Sequence, residues 1–167
     1  MEYRRTLLNF SFVVPGLLAG MARPGTTGSL EQDLIFLQMQ GIKALLSLSE
    51  AEVDEQTVLQ RGFDFLHIPV ADFTAPTLKQ VEQAMEFVER KIDLEGKPVV
   101  IFCGAGCGRT GTFLACYFVK KGKLPEEAIH HVRSIRPCSI ETGSQRELIY
   151  KYAEHLRVSG RDGKVES

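Results

Sequence analysis

Cys103 and Arg109 bracket the one stretch of this 167-residue chain whose residue types and spacing point to chemistry. Between them lie Gly104, Ala105, Gly106, Cys107 and Gly108, and Thr110 follows directly. Glycines at alternate positions let backbone approach a ligand with no Cβ in the way. Successive N–H groups feeding a helix N-terminus make a cradle for an anion. A thiol in that positive potential is favoured as its thiolate. Arg109 can close the cradle as a planar fork on two phosphate oxygens. Such a thiolate is placed to attack phosphorus in line, and Thr110 to hydrogen-bond the sulfur when it departs. The pattern implies cysteine-dependent hydrolysis of a phosphate ester, with Gly104, Ala105, Gly106, Cys107, Gly108 and Arg109 as substrate-binding positions. The bland alternative is a glycine-rich strand-to-helix turn with an inert cysteine.

The elements on either side have to hold this loop. Val99–Phe102 is a short β-branched run and reads as a buried strand, while Thr112–Val119 is long enough for a buried helix. Upstream, Phe10–Val14 and Leu17–Gly20 read as two strands around the turn signal Pro15–Gly16. Ser29 with Gln32 predicts a capped helix carrying Leu30, Leu34 and Leu37. Strands are expected at 42–48 and 63–70, and a polar helix at 53–60 between them. Pro76 opens a helix bearing Val81, Met85, Val88 and Ile92. Beyond Gly122, Pro125 starts one carrying Ala128, Ile129, Val132 and Ile135 that Arg136–Pro137 closes, and Thr142 with Gln145 forms a capping box for a last one. Strands alternating with helices imply an α/β fold, a largely parallel central sheet flanked by helices, with the loop at a strand's carboxyl end. The expected organisation is an N-terminal arm (1–8), one domain (9–157) and a disordered polar tail (158–167).

The residues Phe102–Cys103–Gly104–Ala105–Gly106–Cys107–Gly108–Arg109–Thr110 resemble the signature loop of cysteine-dependent protein tyrosine phosphatases. They are most similar to that of small atypical dual-specificity phosphatases. The resemblance runs from about Asn9 to Leu156 and includes Leu18–Ala19–Gly20 and Arg136–Pro137–Cys138–Ser139–Ile140–Glu141–Thr142. It implies a protein tyrosine phosphatase-like fold and a phosphocysteine intermediate. One departure stands out: the family usually has His before the nucleophile, and this chain has Phe102.

Protonating the leaving oxygen requires a carboxylic acid from another loop. Asp72 follows a strand end and matches the position of the family's general acid, which then serves as base for the attacking water; its alternative is a turn aspartate. Glu141 and Gln145 lie in a segment resembling the family's loop that faces the site. There Gln145 either orients water or only caps a helix, and Glu141 is expected to buttress Arg109. Cys107 either fills space in the loop or resolves an oxidised Cys103 as a disulfide. Cys116 and Cys138 read as plain core or surface residues, Arg23 as solvated, and His67 as a strand residue with a local partner.

Composition narrows the rest. Net charge is −1, so neither nucleic acid nor an anionic membrane is indicated as a partner. Hydrophobic residues make up 44% and charged residues 25%, ordinary for a globular domain. No targeting or membrane-spanning run is read, and the four cysteines lack paired metal spacing. A cytoplasmic monomer is expected, acting on a phosphorylated protein or peptide without metal or cofactor. By the resemblance, phosphoinositide phosphatases often place lysines in this loop to meet additional phosphates; it has none here, which disfavours that class. No long insertion is read that would build the deep phosphotyrosine slot of large tyrosine phosphatases. Phosphotyrosine, with phosphoserine and phosphothreonine as further substrates, is the expected range. The alternatives are a non-enzymatic phosphoresidue-binding module and a rhodanese-like sulfurtransferase.

Overall fold

A computed structural model describes residues 8–166. The arm expected over 1–8 therefore lies, apart from Leu8, outside the described residues. Strand β5 (Val99–Cys103) is the centre of the architecture. Every one of its residues is buried, as expected of a strand covered on both faces. It lies between β2 (Leu18–Ala22) and β3 (Ala44–Ser47), with β4 (Asp64–His67) at one edge and β1 (Ser11–Val14) at the other. β2, β5, β3 and β4 run parallel, and only β1 is antiparallel, returning through the Pro15–Gly16 turn. The largely parallel sheet expected from the sequence is thus present, with one antiparallel edge.

Alternation along β5 assigns its side chains to two cores. Val100 and Phe102 pack with Leu34 and Leu37 of α1 (Leu30–Met39) and Val58 of α2 (Glu55–Gln60). Val99, Ile101 and Cys103 face the other way, among α3 (Leu78–Glu89), α4 (Gly108–Lys120), α5 (Pro125–Ile135) and α6 (Gly143–Glu166). The residue before the nucleophile candidate and that candidate therefore point to opposite sides of the sheet.

Local capping sets several helix starts. Ser29 Oγ accepts from Gln32 N at 3.1 Å, and Asp54 Oδ1 accepts from Thr57 N at 3.3 Å. Thr77 and Gln80 form a reciprocal box, so α3 begins at Leu78 and Pro76 stands before the cap instead of opening the helix. After Glu89 the chain widens into a π turn, Arg90–Leu94. Thr142 and Gln145 cap α6 as the sequence indicates, at 3.1 and 3.2 Å.

The last helix differs from expectation. Its backbone continues to Glu166, through the segment read from 158 as a disordered tail. Two glycines and a polar composition give that stretch little intrinsic helicity. Propagation from a helix already anchored by the buried Ile149 and Tyr152 needs no new nucleus.

Candidate active site

The loop from Gly104 to Cys107 joins β5 to α4, and α4 is a helix buried from Gly108 to Val119. The carbonyls of Gly104, Ala105 and Gly106 are each occupied from outside the loop, while Cys107 O accepts from Gly111 N of α4 at 2.8 Å. Gly104 O accepts from Arg23 N at 3.1 Å, and Ala105 O accepts from Asn9 Nδ2 at 3.1 Å. Gly106 O accepts from Asn9 Nδ2 at 3.4 Å and from Arg136 Nη2. No peptide here is cis, and in a trans peptide the C=O and the following N–H point in opposite directions. The N–H groups of Ala105, Gly106 and Cys107 are thereby turned to the inside of the loop. Gly106 makes the fold of the loop possible. Its φ is +79°, and a Cβ there would lie 2.5 Å from the Met21 carbonyl carbon and oxygen.

Cys103 is 2% exposed, and Thr110 Oγ1 donates to its Sγ at 3.0 Å. The hydroxyl contact expected of Thr110 is therefore present, within the first turn of α4. Arg109 is 5% exposed. Its Nη1 donates to Val70 O at 2.8 Å, and its Nη2 lies 3.4 Å from Asp72 Oδ1. Its Nε is buried and has no partner among the described residues. A buried guanidinium N–H without an acceptor is costly, and it marks the edge of the fork that remains free for an anion.

Asp72 arrives from the loop after β4, and its side chain is half-exposed. Its N donates to Glu50 Oε1 at 3.0 Å, and Phe73 N donates to its Oδ1 at 3.0 Å. Phe73 is held at φ +61°, a costly conformation for a bulky residue that reverses the chain beside Asp72. The structure thus places Asp72 against Arg109 and Thr110 against Cys103.

Glu141 and Gln145 also reach this region, but with different partners than expected. Glu141 Oε1 accepts from Gly108 N at 3.0 Å, so its hydrogen bond goes to the backbone at the start of α4 instead of to Arg109. A carboxylate at a helix N-terminus is stabilised by the unpaired amides and the dipole. Gln145 is fully buried. Its Oε1 accepts from Glu141 N (2.8 Å) and Thr142 N (3.1 Å), and its Nε2 donates to Thr74 O at 3.2 Å. It caps α6 and ties that helix to the loop carrying Asp72.

The cysteine reading is corrected at two positions. Cys107 forms a disulfide with Cys138, with Cα atoms 5.1 Å apart. It is thus neither a lone space-filling thiol nor the partner of Cys103, and Cys138 is not a plain unpaired residue. Cys103 and Cys116 are free. Burial pushes the Cys116 thiol far up, keeping it protonated and inert, in line with its reading as core. His67 has the local partner expected of it, Ser49 O at 2.7 Å.

The cross-link joins positions 31 apart in sequence, a loop whose closure stabilises by about 3–4 kcal/mol in the chain-entropy account. Cys138→Ser should lower the melting temperature by several degrees, and adding a dithiol to the native chain should do the same. A dithiol should leave the Cys138→Ser melt unchanged.

Among the described residues no group of His, Cys, Asp and Glu is arranged to hold a metal ion. Sequence reasoning missed Asn9, Glu50, Arg136 and the Cys107–Cys138 pair. Arg136 and Cys138 lay in one segment that the resemblance covers and Cys107 in its loop, but Arg136 read as a helix end and the two cysteines were not paired.

Residues 19–123 match the family described as Polymorphic toxin system, DSP-PTPase phosphatase. The chain belongs to this family of DSP-PTPase phosphatases, within the protein tyrosine phosphatase superfamily. The phosphatidylglycerophosphate phosphatases PTPMT1 and PTPMT2 of Arabidopsis thaliana are 33% and 30% identical to it. Those matches cover 75% and 73% of this chain, which spans 38% and 55% of the length of these two relatives. Tk-PTP, solved in its active form, is 30% identical and superposes with a TM-score of 0.78, covering 87% of this chain and 96% of that one.

Proposed function

We propose that this chain is a cysteine-dependent protein phosphatase that hydrolyses phosphotyrosine, and also phosphoserine and phosphothreonine, through a phosphocysteine intermediate. The observation that carries the reading is the buried Arg109 in the first turn of α4, whose Nε has no partner among the described residues, at the end of the loop that begins at Cys103. Cys103 Sγ attacks phosphorus and the P–O ester bond breaks. The leaving oxygen takes the proton of Asp72, while Arg109 and the loop amides hold the equatorial oxygens. Water then attacks phosphorus, Asp72 takes its proton, and the S–P bond breaks as Thr110 donates to the departing thiolate. Glu141 and Gln145 support this arrangement through Gly108 N and Thr74 O. No step calls for a metal or organic cofactor.

Action as a monomer is part of the same reading. No described helix is long and apolar enough to cross a membrane, and a cytoplasmic setting is part of the same reading. Family membership removes the sulfurtransferase alternative.

A second reading comes from the plant relatives, which are phosphatidylglycerophosphate phosphatases: the substrate is a lipid phosphomonoester. The rim of the site argues for the protein substrate. Glu50, an exposed carboxylate 3.9 Å from Arg109 with no part in the proton transfers, repels a polyanionic headgroup or anionic lipid surface.

The test is phosphate release from a phosphotyrosine peptide, a phosphoserine peptide and phosphatidylglycerophosphate in neutral detergent micelles. The peptide reading expects the phosphotyrosine peptide to give the highest kcat/KM. A higher value on the lipid reverses the substrate assignment. Retained phosphopeptide binding without phosphate release identifies a binding module.

A further inference from the structure

Arg136 is a buried cation that the chemistry above leaves without a task. It is 2% exposed, yet among the described residues no carboxylate pairs with it. Its acceptors are neutral. Nη1 donates to Asn9 O (2.7 Å), Ser11 Oγ (2.7 Å) and Gly20 O (3.0 Å), and Nη2 donates to Gly106 O in the loop. Burying an uncompensated guanidinium is expensive. The chain nevertheless makes room for it, because a Cβ on Gly20 would lie 2.9 Å from Arg136 Nε. Burial lowers the guanidinium to about 10, and its neighbour Cys103 acts against that. It stays charged at neutral pH.

Two further features converge on the same loop. Phe102 points its apolar ring into the opposite core, so the residue before Cys103 offers the loop no polar side chain. Asn9, at φ +52°, donates to both Ala105 O and Gly106 O.

We propose that Arg136 is a positioning residue for oxyanion binding. Anchored on β1 and β2, its fork holds the Gly106 carbonyl outward and so aims the Cys107 N–H at the bound oxyanion, with Asn9 doing the same for the preceding peptide. Its charge lies beneath the loop and adds to the field that holds an anion there. This rests on the phosphatase reading of the site and adds the residues that set its anion affinity.

The test is calorimetric binding of tungstate to the native chain, Arg136→Lys, Arg136→Met and Asn9→Gly, with thermal melts of each. Lysine keeps the charge but cannot bridge two strands and the loop at once. Arg136→Lys is expected to weaken tungstate binding roughly tenfold to a hundredfold, and Arg136→Met by at least as much. Glycine keeps the positive φ of position 9, so Asn9→Gly tests the loop contact in a chain that still folds. A roughly threefold to tenfold loss is expected there with little change in melting. Melting shifts with unchanged tungstate affinity in all three variants make Arg136 merely structural and overturn the proposal. Native affinity in Arg136→Lys reduces its part to charge and overturns the positioning role. If the native chain itself binds no tungstate, the cradle reading of the site falls, and this inference with it.

Discussion

Cys103→Ser is expected to bring hydrolysis of an aryl phosphate below detection, a fall of at least about 10⁴-fold in kcat. The serine hydroxyl is almost wholly protonated at neutral pH, and among the described residues the group bonded at this position is the Thr110 hydroxyl, which is not a base. Its Oγ would still accept from Thr110, as the sulfur does at 3.0 Å, so the loop and its amides should stay in place. Binding of phosphopeptide should therefore survive. That combination, turnover lost and affinity kept, is what a nucleophile gives and a structural cysteine does not. A Cys103→Ser variant with measurable turnover would move the chemistry to another group and overturn the phosphocysteine mechanism.

Asp72→Ala should lower kcat by about 10²–10⁴-fold on substrates with poor leaving groups, and much less on activated aryl esters that depart without a proton. The sign of the pH effect follows from the role. A general acid works while protonated, so activity falls as pH rises and Asp72 gives up its proton. The native profile should be bell-shaped, and Asp72→Ala should lose the basic limb while keeping the acidic one. Asp72 also lies 3.4 Å from Arg109 Nη2, so the alanine variant exposes the fork and should bind phosphopeptide no more weakly than the native chain. Equal losses on poor and activated leaving groups would point to a positioning carboxylate instead of a proton donor.

Both results bear on residues that could be found from sequence, because the information is local. From Cys103 to Thr110 the chain is one loop and the first turn of one helix, so the residue types and their spacing fix their relative positions within a few ångströms. The same holds for the caps at Ser29 and Thr142 and for the apolar stripes of α1, α3 and α5. Period and short-range hydrogen bonding carry those elements. The sheet order was legible only as a class, since alternation of strands and helices implies parallel pairing but does not choose β1-β2-β5-β3-β4.

What tertiary structure decided are the contacts between residues far apart in the chain. Arg136 read as the end of a helix, because its task is to bond Gly106 O, 30 positions away, and Gly20 O, 116 away. Cys107 and Cys138 belong to no spacing pattern and meet only because α5 returns the chain to the loop. Glu141 was assigned to Arg109 from its segment, but its distance from each candidate depends on how α6 docks, and it reached Gly108 N instead. The sequence determined the candidate nucleophile and the loop proposed to hold an anion, since their relative places are set by covalent neighbours. Which way the loop's carbonyls turn, and which buried cation holds them, is set by packing between distant segments, and no local pattern records it.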